Sequence, residues 1–199
     1  MPEQLSMFGS GGGRRASPLD RDVVFLALLL GRELQVPLGP LAERLHREFG
    51  VRAPFLSADR LHVSVIGIGF ADDLSKNDIT AARRAIELFD FVPFELSFVQ
   101  VMSWARGRGP RPIVLVPGAG SELVTDLGER LAAAMFAEAF DPRGLPPTTP
   151  HLTLGYDGAR VPKTELIPPI GVRVDGVSLV HSHRGEGRYS VLWPEPGSN

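Results

Sequence analysis

The chain has 199 residues, 43% hydrophobic and 22% charged, with a formal net charge of -2. That is the composition of a globular protein long enough to bury a core without disulfides or metals. It has no cysteine, which excludes thiol catalysis, zinc–thiolate sites and iron–sulfur clusters. The charge balance excludes nucleic-acid binding driven by global charge, so phosphate recognition must be local.

Residues 1–19, centred on GSGGG, read as a flexible tail, with one domain of two lobes over 20–196. RRAS in the tail reads as solvated chain. VVFLALLL (23–30) predicts a buried strand and is too short to span a bilayer. Asp20 and Asp22 before it are unlike a secretion signal. A cytoplasmic protein without a membrane partner is expected. LGPLAERLHREFG predicts a helix with Leu41, Leu45 and Phe49 on one face, His46 just off it and Gly50 as the stop.

RLHVSVIGIGF (60–70) predicts the next strand, and SKNDITAARRAIELF a helix with Ile79, Ala82, Ile86 and Phe89 on one side. FVPFELSFVQVMSW and RPIVLVP predict a hairpin around ARGRGP. SELVTDLGERLAAAMFAEAF predicts a helix with Ser121 as N-cap. After the loop PRGLPPTTP comes the strand HLTLGYD. VRVDGVSLVHSHRGEGRYSVLWP predicts two strands around a Gly-containing turn. Repeated strand–helix–strand blocks with hairpins predict an α+β fold rather than a doubly wound parallel sheet.

Two strands share a pattern. In His62-Val63-Ser64-Val65 and His151-Leu152-Thr153-Leu154 an imidazole and a hydroxyl stand two residues apart between apolar neighbours. Residues i and i+2 of a strand face the same way. Each strand therefore presents a histidine and a hydroxyl on one face and anchors itself with the other. Two such motifs among five histidines, at 43% apolar content, would arise by chance roughly 0.3% of the time.

On these residues the chain resembles the two-histidine (2H) phosphoesterase superfamily. Within it, the chain is similar to the bacterial 2'-5' RNA ligase / RNA 2',3'-cyclic phosphodiesterase branch. The likeness runs over roughly residues 20–194 and includes Pro150 and the closing LVHSHRGEGRYSVLW, with Ser182 and Tyr189 flanking the turn. Ser64 stands where threonine is commoner, and Gly155-Tyr156 follows the second motif where many relatives carry a small residue and arginine.

The resemblance implies a two-lobed pseudo-symmetric fold, with antiparallel sheets flanking a central groove and helices outside. It implies hydrolysis of 2',3'-cyclic phosphates at RNA ends, with 2'-5' ligation as the same chemistry reversed. His151 would be the base and His62 the acid, and Ser64 and Thr153 would hold the phosphate. Histidine titrates near neutrality, so a facing pair can hold opposite protonation states. No metal, cofactor or obligate protein partner is expected; the partner is an RNA end or a nucleotide with a 2',3'-cyclic phosphate. The rival readings are a phosphodiesterase for a small cyclic or 2'-5'-linked nucleotide and a non-catalytic RNA or nucleotide module.

Weaker signals surround the pair. Arg60, two residues before His62, is a candidate phosphate contact or a solvated charge. Trp104, Arg106 and Arg108, with Arg111, could stack on a base and hold a backbone, or form a solvated hairpin tip. Tyr156 is a candidate pocket wall. His181 and His183 share a strand face, but no carboxylate in the sequence stands out to complete a metal site, so they read as surface histidines. PGAGS (117–121) lacks a P-loop's lysine and spacing and reads as a plain helix entry.

Overall fold

The computed structural model describes residues 21–104, 109–142 and 149–194. The expected tail, Arg106, Arg108 and most of the loop before the second histidine motif lie outside the described residues.

The apolar run near the start forms β1 (Val23–Leu29), followed by α1 (Gly31–Phe49). The sequence places this helix after Pro37, because proline removes an N–H and crowds the preceding turn. Instead α1 begins at Gly31 and carries Pro37 and Pro40 inside it. Leu34, Leu38, Leu41 and Leu45 form one buried stripe. Four buried leucines contribute roughly 6–12 kcal/mol, against about 3 kcal/mol for each interior proline. Gly50 ends the helix in the left-handed region, at φ 71°, as its position predicts.

A single 3₁₀ turn (Ala58–Arg60) leads into β2 (His62–Phe70). Helix α2 (Lys76–Glu87) starts with a reciprocal cap: Asp78 N–H donates to Ser75 Oγ, and Ser75 N–H donates to the Asp78 carboxylate. β3 (Phe94–Ser103) and β4 (Arg111–Pro117) form the expected hairpin. In α3 (Ser121–Ala137) the cap is Gly120 at φ 88°, with Ser121 the first helical residue, not the N-cap. A Cβ at Gly120 would lie 2.4 Å from the Glu95 carbonyl oxygen, so the tight approach of this turn to β3 selects glycine.

β5 (Leu152–Asp157) follows, and then a strand the sequence reading omits, β6 (Thr164–Val174). Its Pro168 and Pro169 argue against a central strand, but β6 is an edge strand, where proline is tolerated. The chain closes with β7 (Ser178–His183) and β8 (Arg188–Trp193), making three strands where two were expected.

All strands join one antiparallel ladder in the order β6-β3-β4-β5-β2-β1-β7-β8. The α+β class holds; the expected flanking sheets are two halves of this one sheet. The two motif strands meet at its centre, and β2 and β5 share a single bridge, Val63 with Leu152. Each half then extends outward through three further strands.

The sheet's two faces differ. One carries the main core, where Val24, Leu26, Leu28, Val63 and Leu152 pack with buried residues of all three helices. The other carries a small cluster of Val23, Phe25, Ala27 and Val180, flanked by Leu29, Phe70 and Tyr189, with no helical residue in it. The motif side chains face this uncovered side.

Candidate active site

Val63, Leu152 and Leu154 are fully buried, while His62, Ser64, His151 and Thr153 are half-buried. The expected alternation is present through the second motif and at Val63 in the first, where Val65 is only half-buried against the core. Continuing the antiparallel register one residue either way from the Val63–Leu152 bridge sets His62 opposite Thr153 and Ser64 opposite His151. The imidazoles take one diagonal of a rectangle and the hydroxyls the other. Diagonal partners lie roughly 7–8 Å apart, which leaves room for one phosphate.

Each imidazole is oriented in the same way. The Nδ1–H of His62 donates to the Arg60 carbonyl at 2.8 Å, and the Nδ1–H of His151 donates to the Thr149 carbonyl at 2.7 Å. In both cases the acceptor is two residues upstream. A carbonyl can only accept, so Nδ1 carries the proton and Nε2 is left to exchange one.

An aromatic ring packs against each histidine. Tyr189 meets His62 edge-on at 5.2 Å, with Phe25 5.1 Å from the same imidazole; Trp104 lies 4.2 Å from His151. Burial pushes both histidines below their ordinary pKa of 6.5. Their carbonyl partners pull the other way, and at His62 the charges of His151 and Arg60 add to the depression. In the free protein burial thus favours the neutral form of both rings.

Arg60 lies in the 3₁₀ turn rather than in β2. Its guanidinium sits 5.6 Å over the Tyr189 ring. Its Nε is the one buried side-chain nitrogen or oxygen without a hydrogen-bond partner among the described residues. The hydroxyls of Ser64 and Thr153 have none there either. The site thus gathers three donors without acceptors, which suits an anionic ligand.

Trp104 belongs to the site rather than to a solvated tip, although Arg106 and Arg108 of the same turn lie outside the described residues. Arg111 is turned away, donating to the Gly158 carbonyl at 3.4 Å. Tyr156 is 43% exposed. A register shift in the β4–β5 ladder between Ile113 and Val114 re-aims this stretch of β5, and Tyr156 is near enough to raise the pKa of Tyr189, itself raised first by burial.

Sequence reasoning missed Phe25, which looks like plain core in an apolar strand. It also missed the orienting carbonyls of Arg60 and Thr149, which carry no side-chain signal. It also found no carboxylate beside the histidine pair of β7. Asp22, from the residue before β1, lies against both, with its Oδ2 3.0 Å from His181 Nε2 and 3.4 Å from His183 Nδ1.

The family model described as the 2'-5' RNA ligase superfamily matches residues 32–186. Several solved structures share the fold. The TT0787 protein of Thermus thermophilus is 22% identical with a TM-score of 0.60, covering 85% of this chain and 94% of that one. E. coli LigT in its apo form is 20% identical with a TM-score of 0.61, covering 87% and 95%. E. coli LigT complexed with 3'-AMP is 18% identical with a TM-score of 0.60, covering 86% and 95%. No curated protein matches the chain in sequence. No helix among the described residues is long and apolar enough to cross a membrane.

Proposed function

This chain belongs to the 2'-5' RNA ligase superfamily, and from that membership we propose that it opens 2',3'-cyclic phosphates at RNA or oligonucleotide ends to 2'-phosphomonoesters by metal-independent acid–base catalysis. The observation that carries the reading is the matched pair of imidazoles, each fixed through Nδ1 by a backbone carbonyl with Nε2 left to work. A cyclic phosphate between them has one imidazole on the water side and the other on the leaving-group side.

His151 Nε2 takes a proton from water as its oxygen attacks phosphorus. The P–O3' bond breaks in line, and His62, in its imidazolium form, gives its Nε2 proton to O3'. The phosphate stays on O2'. Negative charge builds on the non-bridging oxygens, where the Ser64 and Thr153 hydroxyls and the Arg60 Nε have free hydrogen-bonding capacity. With a 5'-hydroxyl in place of water, the same bond changes join two ends through a 2'-5' linkage.

A second reading, a phosphodiesterase for a small nucleotide, is favoured by the net charge of -2 and by the aromatic rings, Tyr189 and Trp104, one beside each histidine, on which a base could stack. An RNA groove gives steeply salt-dependent binding and a one-nucleotide pocket does not.

The test follows a short RNA ending in a 2',3'-cyclic phosphate by phosphorus NMR, with EDTA present. Conversion to the 2'-monophosphate, slowed about 10²–10⁴-fold in folded His62→Ala and His151→Ala, supports the reading. A folded wild-type protein that leaves the cyclic end intact refutes it. Binding unchanged by either substitution, with no turnover in any form, would leave only the binding module.

A further inference from the structure

On the sheet face opposite the groove, Asp22, His181 and His183 converge. His181 alternates along β7 with Val180 and Ser182 and pairs with Val24 and Ser190, so it points away from Tyr189 and the groove. The ligand atoms of the three residues lie within 4.8 Å of one another. We propose that Asp22, His181 and His183 form a binding site for a divalent first-row transition cation such as zinc, separate from the two-histidine groove.

The donor spacing fits a metal. Ligands at 2.0–2.1 Å on a tetrahedral zinc are about 3.3 Å apart. Asp22 Oδ2 stands 3.0 Å from His181 Nε2 and 3.4 Å from His183 Nδ1. Three protein ligands of the set His, His and carboxylate leave one position for water.

Outer contacts hold the donors in place. Asp22 Oδ1 accepts the Arg184 N–H at 2.9 Å, which aims Oδ2 at the imidazoles and, first among the causes, keeps the carboxyl below its usual range. His183 Nε2 is held by Ser190 Oγ at 2.9 Å, so the ring presents Nδ1 inward. Such second contacts orient metal ligands and fix histidine tautomers. The two rings lie close together, with centroids 3.9 Å apart and planes tilted by 37°. The three side chains are 15–37% exposed, which leaves the position open to an ion from solvent.

The cation ties the residue before β1 to β7 and, through Ser190, to β8. Its role is that of a staple, and phosphodiester chemistry proceeds without it.

The full chain without a histidine tag is stripped with EDTA, desalted and titrated with Co2+ and Zn2+. One equivalent of Co2+ is expected, with the visible absorption of a low-coordinate nitrogen–oxygen site. Affinity is expected to drop at least tenfold in His181→Ala and Asp22→Asn, about tenfold in Ser190→Ala, and to stay unchanged in His62→Ala. Zinc at a hundredfold excess over its Kd is expected to raise the melting midpoint by roughly 5–10 °C in wild type and not in Asp22→Asn. Asp22→Asn keeps the side chain's shape and decides the matter if His181→Ala fails to fold. No stoichiometric uptake by wild type, or equal affinity in wild type and Asp22→Asn, overturns the proposal and leaves an aspartate–histidine ion pair. Uptake lost in His62→Ala but kept in Asp22→Asn overturns it equally, by placing the ion in the groove.

Discussion

Replacing Gly31 with alanine tests how the fold supports the site. A Cβ at Gly31 would lie 1.7 Å from the carbonyl oxygen of Ala58, about 1.3 Å short of the 3.0 Å that real Cβ contacts respect. The Cβ position is fixed by the backbone and the atoms it meets are backbone of Ala58, so the start of α1 or the 3₁₀ turn must move by more than 1 Å. That turn ends at Arg60, whose carbonyl holds His62 Nδ1 at 2.8 Å. A shift of that size breaks the hydrogen bond and swings the imidazole. Overpacking costs about 1–3 kcal/mol, and the gain in helix propensity returns about 0.5–1 kcal/mol. We expect a net loss near 1 kcal/mol, a midpoint drop of roughly 2–4 °C, and turnover of a cyclic phosphate down about a hundredfold. Gly39, in the same helix, has nothing within 4 Å of its would-be Cβ. Gly39→Ala is the control: Pro40 follows it in the helix and offsets the propensity gain, so stability is expected within about 0.5 kcal/mol of wild type, with turnover unchanged. Urea melts, the phosphorus NMR assay and 15N NMR of the histidine tautomers measure the three quantities. A Gly31→Ala protein that matches Gly39→Ala in midpoint and rate would refute the coupling of α1 to His62.

With both histidines depressed below 6.5 by burial, kcat/KM for a reaction needing one neutral and one protonated imidazole should peak below pH 6.5 and decline through neutrality; a maximum above pH 7.5 would contradict it. The same depression makes the unfolded chain bind protons first as pH falls through 6.5, so stability should drop as pH falls below about 6.5, less steeply in His62→Gln. Urea midpoints that stay flat below that pH in wild type would tell against buried, neutral imidazoles. Trp104→Ala uncovers His151, the base, so its pKa should rise and the acidic limb of the rate profile move up, with a smaller change expected for Tyr156→Ala. Leu152, fully buried at the central bridge, should cost about 2–5 kcal/mol on truncation to alanine; Leu88, 73% exposed, should cost under about 0.5 kcal/mol, and equal costs would place the core elsewhere.

The motif strands were legible because period-two alternation and a paired His-x-Ser/Thr pattern are local signals. Trp104 and Arg60 were visible as residues but not as neighbours of particular rings, since each reaches its partner across strands remote in sequence. Asp22 is the sharpest case. It lies 159 residues from His181 in the chain, and only the β1–β7 pairing brings the two together. The early start of α1 and the edge strand β6 were hidden by prolines, whose local penalty is overridden by buried leucines in one case and by edge position in the other. The carbonyls that orient the two imidazoles are invisible to any reading of side-chain letters.

The central seam of the sheet, where β2 and β5 share one bridge, also has a mechanical meaning. Every other neighbouring pair of strands is laced by several residues, so among the described residues the seam is the junction with the least backbone pairing. The two imidazoles stand on opposite sides of it. What holds their separation is the packing of Val63 and Leu152 into the core beneath, rather than a ladder of backbone bonds. Apolar packing is non-directional and tolerates small sliding, whereas hydrogen bonds do not. The spacing between proton donor and proton acceptor is thus set by oil rather than by a ruler, and a substitution beneath the seam tunes it without touching either histidine.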